Sequence, residues 1–130
     1  MTQQERTGAA RRVLVVDDDA SIRRFIADTL ADEGYVVETA PDGEAALKVV
    51  AAFRPDVILL DLTMPRLDGW EFAERYRQQP GPHAPIIVLT AARDISARDS
   101  RIDASAVLGK PFDLDVLLAV VRRWSGRSPA

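Results

Sequence analysis

The sequence predicts an α/β domain in which a parallel five-stranded sheet carries helices on both faces. Three observations predict it. The runs Val13-Leu14-Val15-Val16, Val57-Ile58-Leu59-Leu60 and Ile86-Ile87-Val88-Leu89 are uninterrupted aliphatic segments, the pattern of strands buried on both faces. Segments of helical periodicity separate them, supplying the long crossovers that parallel strands require. The first two runs end in aspartate and the third in Thr90, so polar side chains collect where strand C-termini meet solvent.

The elements follow in order. Residues 1–10 are polar and small without periodicity and read as a frayed tail, with structure beginning near Arg12. After the first strand, Ile22, Phe25, Ile26 and Leu30 recur at helical spacing over 21–33, with Arg23, Arg24, Asp28 and Asp32 between them and Gly34 at the C-cap. A second strand is expected over 35–39. Pro41-Asp42-Gly43 then punctuates the chain, and Ala46, Leu47, Val50 and Ala51 mark a second helix that Asp42 caps and that ends near Phe53. The third strand ends in Asp61, and a Pro/Asp/Gly-rich loop over 62–69 leads to a helix over about 70–78. Pro80-Gly81-Pro82 stops that helix before the fourth strand. A fourth helix over 93–105 has few large apolar residues, chiefly Ile95 and Ile102. Val107-Leu108 forms a short last strand, and Leu114, Leu117, Leu118 and Val121 define a final helix that fades near Trp124.

Alternation of this kind, with right-handed crossovers and this length, gives a doubly wound flavodoxin-like (βα)5 domain with strand order 2-1-3-4-5. The expected division is a tail at 1–11, the domain at 12–124 and a tail at 125–130. At 130 residues the chain accommodates one such domain, so output is expected to pass through a protein partner. It is 47% hydrophobic and 28% charged, enough apolar surface for one core. Seventeen basic against twenty acidic residues give a formal net charge of -3, and direct nucleic-acid binding is not expected. The absence of cysteine excludes disulfides and thiol chemistry, and with one histidine it excludes the usual zinc sets. Neither a signal peptide nor an apolar run long enough to span a bilayer is present, so a cytoplasmic location without membrane association is expected.

In an open α/β sheet, ligands bind beyond the carboxyl ends of the strands where strand order reverses, here between strands one and three. Asp17 and Asp18 close the first strand and Asp61 the third, which brings three carboxylates together. Like charges this close repel by several kcal/mol, on the order of the value for an intermediate effective dielectric, unless a cation intervenes. Oxygen-only ligation with room for water and phosphate oxygens favours magnesium over zinc or calcium. Thr90 and Lys110, the latter next to Pro111, reach the same edge. Carboxylates, a hard cation, a hydroxyl and an ammonium make a site for a phosphoryl group, with a carboxylate oxygen as nucleophile and an acyl phosphate as product.

These residues carry a resemblance. Residues 13–18, the segment 55–69, Thr90-Ala91 and Lys110-Pro111-Phe112 resemble the four signature blocks of bacterial response-regulator receiver domains, and the match spans Arg12 to about Trp124. The resemblance implies that Asp61 is the phosphoacceptor, Asp18 a direct metal ligand, Asp17 an outer-sphere partner and the Thr63 backbone carbonyl a further ligand. It implies that Thr90 is the switch hydroxyl and that Lys110, with a cis bond to Pro111, pairs with the phosphoryl group. A magnesium ion, a sensor histidine kinase or histidine phosphotransfer protein as donor, and a downstream protein target are implied with them. Such a domain promotes its own phosphorylation and is not a turnover enzyme. The chain departs from the family at Val107, where an aromatic is usual, and at Asp103-Ala104, where Gly-Ala is usual. Thr63 and Ala92 stand at positions that in the family tune loss of the phosphoryl group, and neither carries an acid or an amide that could orient the attacking water; a long-lived phosphoryl state is expected.

Other functions fit less well. A haloacid-dehalogenase-like phosphatase needs an acid two residues after the nucleophile, where this chain has Thr63. A flavin carrier needs a Ser/Thr/Gly-rich loop after the first strand, where this chain has Asp17-Asp18-Asp19. A receiver-like module that has lost phosphorylation is disfavoured by the complete acid, threonine and lysine set. Asp19 is expected to cap the first helix, Asp68-Gly69 to serve turn chemistry, His83 to sit in a surface loop, and Trp70 and Trp124 to pack.

Overall fold

The computed structural model describes residues 10–62, 68–91 and 104–125. Within them the chain runs β1 (Arg12–Val16), α1 (Ala20–Asp32), β2 (Val36–Ala40), α2 (Gly43–Phe53), β3 (Val57–Asp61), α3 (Asp68–Gln78), β4 (Ile86–Ala91), β5 (Ala106–Lys110) and α4 (Leu114–Ser125). The five strands form one parallel sheet in the order β2-β1-β3-β4-β5, the arrangement expected from the sequence. The expected helix over 93–105 falls almost wholly outside the described residues, as do most of the loop after β3 and most of both tails.

Successive strand residues point to opposite faces, and each face holds its own core. Leu14, Val16, Ile58, Leu60, Ile86 and Val88 pack with Ala46 and Val50 of α2 and Phe72, Ala73 and Tyr76 of α3. Val13, Val15, Val57, Leu59, Ile87 and Leu89 pack with Ile26 and Leu30 of α1 and Leu117 and Val121 of α4. This two-sided burial is why the central strands read as continuous aliphatic runs.

Helix ends follow local chemistry. Asp19 caps α1, its Oδ1 accepting from the N–H groups of Ser21 and Ile22 at 2.9 and 3.1 Å, and Asp42 caps α2 by accepting from the Ala45 N–H at 2.8 Å. After α1 the chain turns through Gly34 at φ 98°, a left-handed conformation that favours glycine. On α1, Ile26 and Leu30 are buried, but Phe25 is 57% exposed. One residue before Ile26, it sits about 100° around the helix from the buried line. Ile22 is in line with Ile26 but lies in the first turn, at the end of the helix nearest the strand termini, and is also exposed.

The remaining differences from expectation are at boundaries. Strand β5 has five residues rather than the two of Val107-Leu108. Its Ala, Gly and Lys are weak strand formers, yet they pair in register with β4 from Ala106 opposite Ile87 to Lys110 opposite Ala91. Helix α3 starts at Asp68, two residues before the expected position.

Candidate functional site

Register sets the site. Val16 pairs with Leu60, so Asp17, one residue further on, comes level with Asp61 at the end of β3. Asp61 pairs with Leu89, and Thr90 follows it on β4 opposite Gly109, with Lys110 next on β5. Four strands thereby deliver acids, a hydroxyl and an ammonium to one edge of the sheet.

Carboxylate oxygens of Asp17, Asp18 and Asp61 lie within 4.8 Å of one another. Asp17 and Asp61 are buried, and Asp18 is exposed. Two carboxylates at about 4 Å repel by about 4 kcal/mol at an effective dielectric of about 20. Lys110 relieves part of this, with Nζ 3.1 Å from Asp61 Oδ1. Burial nevertheless pushes the Asp17 carboxyl up to about 6; the Asp19 N–H opposes the shift, the Asp61 charge reinforces it and the Lys110 charge opposes it.

The loop between β1 and α1 fixes Asp17 closely. Its N–H donates to the Ala40 carbonyl at 3.1 Å, its Oδ1 accepts from the Asp19 N–H at 2.9 Å, and its backbone carbonyl accepts from Arg23 Nη1 at 2.7 Å. The other carboxylate oxygen, Oδ2, is buried and has no hydrogen-bond partner among the described residues. An all-oxygen set with an undonated buried oxygen fits a hard divalent cation, which supplies the compensation that hydrogen bonding leaves out.

Five of the six site residues expected from sequence are thus described. Asp17, Asp18, Asp61 and Lys110 are directly associated, Thr90 is buried on the same edge, and the sixth, Thr63, lies outside the described residues. The Lys110-Pro111 bond is cis. Val107 is half-buried and packs on the α2/α3 core. Sequence reasoning missed Arg23, which it left on the polar face of α1. A basic residue six positions after an acid carries no recognisable spacing signal. His83 is exposed, with Nε2 2.7 Å from the Gln79 carbonyl and its ring edge-on to Tyr76.

A parallel sheet in this order, with an acid cluster and a lysine at its switch point, is the construction of a phosphoacceptor signalling domain. The chain belongs to the response regulator receiver domain family, whose profile matches residues 13–122; it is therefore a receiver of two-component signalling, a class of signalling domain rather than of substrate-turnover enzyme. It is 47% identical over 113 residues to response regulator MprA of Mycolicibacterium vanbaalenii, a match covering 85% of this chain and 48% of that relative. MprA of Mycobacterium ulcerans matches with the same identity and coverage. The chain spans about half the length of the curated relatives it matches. Among solved structures, chemotaxis response regulator CheY4 of Vibrio cholerae superposes with TM-score 0.80 at 38% identity, covering 88% of this chain and 98% of that one. Response regulator TrrA of Thermotoga maritima, solved in complex with Mg(2+)-BeF, superposes with TM-score 0.76 at 36% identity, covering 88% and 98%. No helix among the described residues is long and apolar enough to cross a membrane.

Proposed function

We propose that this receiver accepts a phosphoryl group on Asp61 in a magnesium-dependent reaction, from a sensor histidine kinase or a histidine phosphotransfer protein, and thereby changes its affinity for a protein target. The observation that carries the proposal is the convergence of three carboxylates beside a lysine, with one buried Asp17 oxygen undonated among the described residues.

An Asp61 carboxylate oxygen forms the new bond to phosphorus as the bond from phosphorus to the donor's imidazole nitrogen breaks, and the imidazole leaves neutral after taking up a proton. Lys110, already beside Asp61, pairs with a phosphoryl oxygen and offsets the added negative charge. The Thr90 hydroxyl donates to another. Asp17, Asp18, Asp61 and the Thr63 carbonyl would hold a magnesium ion (Mg2+), which when bound supplies charge neutralisation and a fixed orientation for the phosphoryl oxygens. Asp17 acts through the outer sphere. A cytoplasmic location suits a kinase donor, and a net charge of -3 disfavours direct nucleic-acid contact by this domain.

A stand-alone receiver of residues 12–124, flanked by tails, has support from CheY4, whose chain is covered almost end to end. The longer MprA relatives support a second reading, in which the same domain is one part of a larger regulator. The apparent mass of the protein in its native cells, read with an antibody to this domain, separates the two.

Incubation with acetyl phosphate and magnesium, followed by intact-mass measurement, tests the central claim. One phosphoryl group should add to the parent and none to Asp61→Asn. Equal labelling of both would move the acceptor elsewhere.

A further inference from the structure

We propose that Arg23 is a positioning residue for the metal site, holding the backbone between Asp17 and Asp18 in the plane that aims both carboxylates into the cluster. The inference rests on the magnesium-dependent reading above and names the residue that orients its ligands.

The Asp17 carbonyl and the Asp18 N–H belong to one rigid plane, so whatever fixes the carbonyl also fixes the direction in which Asp18 leaves the strand. Arg23 Nη1 donates to that carbonyl at 2.7 Å, a short charge-assisted bond. Arg23 is itself anchored, because its N–H donates to the Asp19 carbonyl at 2.9 Å in the turn that Asp19 caps. The clamp therefore closes the whole β1–α1 connection. Asp17 Oδ1 is occupied by the Asp19 N–H, while Oδ2 is buried and without a hydrogen-bond donor among the described residues.

Three carboxylates within 4.8 Å repel one another before a cation arrives. A loop free to rotate about the 17–18 peptide would swing exposed Asp18 out toward water and relieve that repulsion, and metal binding would then have to bring it back. The Arg23 guanidinium opposes this motion through the backbone. Arg23 lines an open groove of about 430 Å³ together with Ser21, Arg24 and Thr39. It is half-buried beside this groove rather than in either apolar core, so its truncation should cost orientation rather than the fold.

The test compares the unphosphorylated parent, Asp18→Asn, Arg23→Ala and Arg23→Lys by calorimetric titration with magnesium chloride, together with metal-free melting temperatures and hydrogen exchange at the Asp19 amide. Arg23→Ala should bind magnesium at least roughly tenfold more weakly, the range for residues that orient metal ligands from outside the ligand set. It should melt at the parental temperature without metal and exchange the Asp19 amide faster, and Arg23→Lys should recover most of the affinity. If Asp18→Asn loses magnesium while Arg23→Ala keeps parental affinity, the role assigned to Arg23 is wrong and the metal site stands. If both Arg23 variants weaken magnesium binding and lower the metal-free melting temperature in parallel, Arg23 is only structural. A parent that does not bind magnesium overturns the functional reading and this inference with it.

Discussion

Lys110 Nζ sits 3.1 Å from Asp61 Oδ1, although the lysine comes from β5 and the aspartate from β3, with β4 between them. The carboxylate is 2% exposed and the lysine side chain 24%, so the pair is only partly screened by water.

Lys110→Ala removes the cation from a cluster of three acids. Metal-free stability should fall by about 1–2 kcal/mol, less than for breaking a fully buried pair because Lys110 is partly solvated. Labelling by acetyl phosphate should slow by at least roughly tenfold, as for loss of a preorganised charge-stabilising group. Urea denaturation and time-resolved mass measurement check the two effects. Unchanged labelling would remove Lys110 from the chemistry.

Asp17→Asn should act in opposite directions on stability and metal binding. The carboxyl is pushed up to about 6 chiefly by burial, so at neutral pH its charge is a cost to the metal-free fold. Replacing it should raise metal-free stability by about 1–2 kcal/mol at pH 7.5 while weakening magnesium binding. The check is a pair of thermal melts with and without magnesium. A variant that is less stable than the parent in both conditions would contradict this account of the cluster.

At alkaline pH the relevant group is Tyr76. Its phenol is raised above the ordinary value of 10.0 mainly by burial; the N–H of Ala84, which donates to Tyr76 Oη at 2.7 Å, and the Arg77 charge act against the shift. The folded state thus holds the proton more tightly than the unfolded chain. The stabilisation is complete below the unfolded value and is lost as pH rises through the folded one. Urea midpoints should fall from about pH 10 upward in the parent and stay flatter in Tyr76→Phe. The phenylalanine variant should also lose about 1 kcal/mol at pH 8 from the unmet Ala84 N–H.

A phosphoryl lifetime of minutes or longer is expected, because neither Thr63 nor Ala92 offers an acid or amide to orient water against the acyl phosphate. Decay of labelled protein after removal of acetyl phosphate measures it. Loss within seconds would sink the expectation.

The sheet and its order were legible because Val13, Leu14, Val15 and Val16 and their counterparts in β3 and β4 are buried on both faces, which leaves no polar alternation to misread. The acids were legible for a related reason, since each closes such a run. Strand β5 was underestimated because its length comes from pairing with β4 rather than from the preferences of Ala106, Gly109 and Lys110. Arg23 was invisible for a different reason. Its partner is a backbone carbonyl, and any residue supplies one, so no pattern of side chains reports the bond.

The division of the interior by the sheet has its own consequence. Leu59 and Leu60 are chain neighbours, yet they serve separate apolar layers, one against α1 and α4 and the other against α2 and α3. Damage to one layer is felt by the other only through the shared backbone ladder. Volume changes in the two compartments should therefore combine nearly independently, and evolution could retune one flank of the molecule while leaving the opposite flank as it was.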